Sequence, residues 1–160
     1  MTDAATGQGI AGATVEARLA AGLHGWDYSA TTASDGSYAI FGLPTGDYVV
    51  RVIASGYARE YYDNVTLSRE AKIIHVTALR ETPGIDFDLT EGGSISGYVY
   101  DNGTGRAIER ADILVYPSSE WSGNTFRTTI ASDGSYVVEN LALGKRGAPQ
   151  KLYRSELCLL

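Results

Sequence analysis

The residues able to do chemistry are few and scattered. The chain of 160 residues holds two histidines, His24 and His75, and a single cysteine, Cys158. Neither histidine has a second metal ligand at the spacing a zinc site needs, so both read as solvated or hydrogen-bonded side chains. One thiol closes no disulfide and builds no cysteine metal site. Asp86 and Asp88 share a strand face with Glu91 nearby, and the run DNGTG from Asp101 to Gly105 looks superficially like a calcium loop. The usual spacing of oxygen ligands around a glycine is missing, so a solvated acidic face and a plain turn explain them better. Ser, His and Asp all occur, but nothing places a nucleophile on a strained elbow. No catalytic residue, metal or cofactor is assigned, and an enzyme is not expected. What remains is aromatic. Trp26 and Tyr28 stand in one variable stretch, Trp121 and Phe126 in another, and Tyr61 and Tyr62 are adjacent. The C–H faces of sugar rings pack on exposed aromatic rings, which makes Trp26, Tyr28 and Trp121 the candidate glycan-stacking residues. The competing reading is that one ring of each pair plugs the open end of the fold.

The elements that must carry these side chains are written twice. ASDGSYAIFGLPTG begins at Ala33 and ASDGSYVVENLALG begins at Ala131, 98 residues later. The same offset lays DAATGQGIAGATV, from Asp3, on DNGTGRAIERADI, from Asp101, with no gap between the matching blocks. Duplicated supersecondary units leave this trace. Asp35-Gly36 and Asp133-Gly134 predict tight primed hairpin turns, because glycine accepts positive φ without strain.

Around these turns the period is two. Tyr38 and Ile40 alternate with Ser37 and Ala39, and Tyr48, Val50 and Val52 alternate with Asp47, Val49 and Arg51. Ile85, Phe87 and Leu89 are expected to face inward while Asp86 and Asp88 face water. Further strands are expected over Ile73–Leu79, Ser94–Tyr100, Ile113–Tyr116 and Tyr136–Val138. SREAK, from Ser68, is at most one helical turn. Many Gly and Tyr (19 and 11) beside one Met agree with β structure. Short strands with regular turns predict an all-β, antiparallel Greek-key sandwich. A formal charge of −6 argues against a nucleic-acid partner. No apolar run is long enough to insert in a membrane, and Met1-Thr2-Asp3-Ala4 is no signal peptide.

SGYVYDNGTGRAIERADILVY, then SDGSY, then GLPTGDYVVRVIASGY resembles the carboxypeptidase regulatory-like domain. The resemblance runs to Gly144. It implies a prealbumin-like sandwich of the transthyretin-like and collagen-adhesin B-type group, non-catalytic and secreted or at the cell surface. Such modules are strung in arrays or appended to peptidases and glycoside hydrolases. The function expected is therefore an extracellular structural or adhesive module. The alternative is a carbohydrate-binding accessory module of a glycoside hydrolase or peptidase. Some adhesin relatives carry an internal isopeptide bond, but Lys72, Lys145 and Lys151 are all misplaced for one.

Each copy departs from that pattern. The first, residues 1–91, begins where the second has Val99, so the strand spelled SISGYV is expected to be absent from it. The second, residues 92–144, lacks counterparts of Tyr48 to Leu89. Residues 145–160 form an atypical tail that is either misassigned or frameshifted, or a genuine tail with its own role; it is expected not to complete the second copy. A sheet edge without a strand in one copy, and a strand with few partners in the other, predict strand exchange through Ser94 to Tyr100. Its partners would then be neighbouring modules or a polysaccharide.

Overall fold

The alternation of β-branched and aromatic residues with polar ones builds the ladders of the computed structural model, which describes residues 1–22, 25–117, 125–142 and 153–159. In the first half, β1 (Thr2–Asp3), β2 (Thr14–Leu19), β3 (Tyr28–Thr31), β4 (Gly46–Ile53), β5 (Glu60–Tyr61) and β6 (Ile74–Val76) precede β7 (Asp88–Leu89). One antiparallel sheet runs β3-β2-β4-β5, and β6 also pairs with β4. Against it, β1 lies parallel to β7, with Thr2 opposite Asp88. Val15, Tyr48, Val52, Phe87 and Leu89 are almost fully buried between these layers, with Tyr38 and Ile40 packed on them. Val49, on the other face of β4, is buried as well.

The second half adds β8 (Gly92–Tyr98), β9 (Ala111–Pro117), β10 (Phe126–Thr129), β11 (Ser135–Ala142) and β12 (Tyr153–Leu159). The pair β11-β8 faces the sheet β10-β9-β12 across Ile113, Val115, Ile130, Val138 and Leu141. The chain is thus all-β, with one 3-10 turn at Ser68–Glu70 among the described residues.

Positions 98 apart make the same local bonds. Gly36 N–H donates to Ala33 O at 2.9 Å, and Gly134 N–H to Ala131 O at 2.9 Å. Thr6 N–H donates to Asp3 Oδ1 at 2.7 Å, and Thr104 N–H to Asp101 Oδ1 at 2.6 Å. The DNGTG run is therefore a turn, the use the sequence favours.

Several sequence expectations need correction. The Asp-Gly turns are not primed hairpins. Only the glycine has positive φ (81° at Gly36, 80° at Gly134), which makes each a turn closed by a left-handed glycine. In the second half that turn carries the chain from β10 in one sheet to β11 in the other, a corner rather than a hairpin ladder. The strand expected at Ser37–Ile40 does not form, and that expected at Ile85–Leu89 shrinks to β7. A strand exists only as a member of a ladder. Residues 37–40 correspond to the part of β11 that pairs with β8, and no strand stands beside them among the described residues. Ile73–Leu79 likewise shrinks to β6, because Leu79 turns to φ 63°. The atypical tail contributes a strand: β12 pairs along the whole of β9, from Tyr153 opposite Pro117 to Leu159 opposite Ala111. It occupies the side of β9 that β4 occupies on β2.

Candidate functional site

Trp26 and Tyr28 stand where β3 begins, beside β2 and β4. Both are half-buried. Alternation along β4 sends Arg51 out of the core, and its guanidinium lies 3.9 Å from the Trp26 ring centroid. Arg18 of β2 sits 5.2 Å from the same ring, and Tyr61 packs at 6.2 Å with a 44° tilt. Glu16 fixes the Arg51 side chain, accepting from Nε at 2.6 Å. Tyr28 turns its ring edge-on to Tyr48 at 6.0 Å. Trp26 is thus held in a cationic and aromatic setting, and Tyr28 belongs to the wall of the core. Trp121, His24, Lys145 and Lys151 lie outside the described residues. Phe126 pairs with the Arg59 guanidinium, 4.2 Å from its centroid.

Sequence reasoning missed a different aromatic pair. Tyr98 and Tyr100 are 64% and 54% exposed and lie parallel, centroids 5.9 Å apart at 12°. Val137, 49% exposed, stands opposite Ser96 next to them. Two tyrosines at i and i+2 on an expected strand were a legible signal, since that spacing puts both on one face.

Acidic groups are used structurally. His75 is exposed, its Nδ1 2.8 Å from Asp47 Oδ1. Asp88 accepts the Thr2 hydroxyl. Among the described residues no three His, Cys, Asp or Glu side chains converge as a metal site. Glu60, buried, accepts the Thr90 hydroxyl at 2.7 Å and its N–H at 3.2 Å. It lies in a joint between the halves. There Gly92 N–H donates to Gly56 O at 2.8 Å and Arg59 N–H to Asn140 O at 3.2 Å. With its amide nitrogen facing the carbonyls, Asn140 donates to Tyr57 O and Ala54 O, both at 3.0 Å.

Five turn and strand carboxyls are held below the ordinary aspartate range by hydrogen bonds to their charged forms. The Tyr57 hydroxyl leads at Asp3, Ser37 at Asp35, Thr104 at Asp101, Arg127 at Asp112 and Ser135 at Asp133. A lowered folded pKa stabilises the fold above the unfolded value and ceases to do so as pH falls through the folded one. The urea midpoint is therefore expected to be flat from pH 7 to about 5 and to fall below about pH 4. A midpoint that holds at about pH 3 would mean these bonds contribute nothing.

The sequence profile of the carboxypeptidase regulatory-like domain matches residues 1–80. No curated protein matches the chain. Among solved structures, the Bacillus anthracis TIE protein is similar at 20% identity and a TM-score of 0.38, covering 99% of this chain and 27% of that one. With half of its length matched by the profile, the chain belongs to the carboxypeptidase regulatory-like domain family.

Proposed function

We propose that the chain is a non-catalytic spacer or adhesive module of a repetitive secreted or cell-surface protein, working next to modules of its own kind. The observation that carries this is the recurrence of one turn-and-core plan within the chain, tied by the joint at Gly56–Glu60, Thr90–Gly92 and Asn140. Backbone bonds and a buried carboxylate at a joint tie neighbouring repeats together, which suits a spacer. Labelling intact source cells with a membrane-impermeant amine reagent is expected to tag the protein. Its recovery untagged, only after lysis, would sink the extracellular reading.

The parallel Tyr98–Tyr100 pair favours a second reading, a carbohydrate-binding accessory module. Gels containing soluble α-glucans or cell-wall polysaccharides separate the two. The spacer reading expects unretarded migration. Retardation lost on Tyr98→Ala would favour the accessory module instead, whereas retardation lost only on Trp26→Ala would move the site to β3.

A further inference from the structure

The outer face of the first sheet carries charge that its core does not need. Glu16 and Arg18 of β2 stand opposite Arg51 and Val49 of β4, which puts all four side chains on one face. Trp26 lies over the two arginines. The Arg51 guanidinium is 3.9 Å from its ring centroid, that of Arg18 5.2 Å, and the Tyr61 ring 6.2 Å. All three come from strands of one sheet, so they meet Trp26 from beneath. The indole itself is only half-buried, which leaves its far side to solvent.

Hydrogen bonds leave part of this cationic set unused. Arg51 Nε donates to Glu16 Oε2 at 2.6 Å, and Arg18 Nη1 to Gly22 O at 3.2 Å. Among the described residues no acceptor engages either Nη group of Arg51 or Nη2 of Arg18. With Nε taken, the end of the Arg51 fork remains, two parallel donors that match the two oxygens of a carboxylate. Two guanidiniums thus share one carboxylate, on a chain whose formal charge is −6. The Arg51 and Glu16 side chains are only 16% and 20% exposed, and withdrawing charge from water costs stability. The repeat shows that the fold does not demand it. At the positions 98 further on, Glu16 and Arg18 are replaced by Leu114 and Tyr116.

We propose that Trp26, Arg18 and Arg51 form a binding site for an acidic sugar, a uronic-acid unit of a polysaccharide. The sugar carboxylate takes the free guanidinium donors at the edge of the indole, and the C–H face of the sugar ring lies on the solvent side of Trp26. The occupant follows from this pairing of chemistries. A neutral sugar would use the indole and leave the guanidiniums unanswered, and an acidic peptide would answer the guanidiniums without needing the ring. A uronic acid carries both groups on one small unit. The inference rests on the adhesive side of the reading above, to which it supplies a ligand class, and it is independent of the Tyr98–Tyr100 pair.

The test is calorimetric titration of the full chain with a trimer of galacturonic acid, its methyl ester and a glutamate trimer. The acid trimer is expected to bind saturably. Esterification, which keeps the ring and removes the charge, is expected to weaken binding about tenfold or more, and so is Arg18→Gln. Trp26→Ala should weaken it as well. Arg106→Gln, which removes an exposed cation in the second half, should leave it unchanged. No binding of the acid trimer, or equal binding of its ester, overturns the site. So does an Arg18→Gln variant that binds like the parent, or one no weaker than Arg106→Gln. A glutamate trimer that binds as tightly as the sugar acid would overturn the sugar and make the site one for acidic peptides. Surface labelling decides where the protein lies and calorimetry what it holds, so the two readings fail separately.

Discussion

Tyr48→Ala is expected to lower the unfolding free energy by about 3–5 kcal/mol, the range for deleting a large buried aromatic side chain. Tyr48 is fully buried at the centre of the first core. Its backbone lies between β2 and β6, opposite Leu19 on one side and Ile74 on the other. The ring meets Tyr28 edge-on at 6.0 Å, and Oη donates to Pro44 O at 3.0 Å, closing the turn that leads into β4. Truncation leaves a cavity that two laddered neighbours cannot collapse into without losing their own pairing. Tyr48→Phe keeps the ring and loses only the hydrogen bond, so about 1 kcal/mol is expected. Urea denaturation measures both. A loss under about 1 kcal/mol for the alanine variant would show that the side chain is not a core anchor.

Gly36→Ala is expected to cost about 2–4 kcal/mol, from two independent causes. The residue sits at φ 81°, where a side chain is strained. A Cβ there would also stand 2.1 Å from Met1 O and 3.1 Å from the Gly9 Cα, both backbone atoms that cannot rotate away. The substitution therefore pushes the start of the chain off the turn and breaks the bond from Met1 N to Gly36 O. Gly12→Ala is the control. Its φ is 73°, yet nothing lies within 4 Å of the added carbon, so only the backbone term of about 1 kcal/mol applies. Equal losses at the two positions in urea melts would refute the close-approach account.

The sequence singled out Trp26 and Tyr28 and passed over Tyr98 and Tyr100 for a concrete reason. Trp26 and Tyr28 are conspicuous as residue types, but the Arg51 that lies over Trp26 and the Tyr48 that meets Tyr28 come from β4, 25 and 20 positions on. Exposure depends on such distant neighbours. Tyr98 and Tyr100 were legible as a same-face pair, but whether that face is covered is again set by the rest of the fold.

What the amino-acid sequence determined alone is what short-range physics decides. Asp3 and Asp101 capture the amides of their own turns, and Gly36 and Gly134 take the left-handed conformation that the chain reversal demands. Alternation in GDYVVRVI assigned Tyr48, Val50 and Val52 of β4 to the core, because successive side chains of a strand point opposite ways. The repeat itself is a property of the text. Only the tertiary structure decided which alternating segments become strands. Ser37–Ile40 and Ile85–Phe87 carry the pattern but are left without a ladder, while their counterpart Ser135–Val138 pairs because β8 lies beside it. Conversely, Tyr153–Leu159 joins β9 although the sequence around it breaks with the repeat. Local pattern sets which face a strand would bury, and the strand itself forms only where a partner brought from elsewhere in the chain satisfies its N–H and C=O groups.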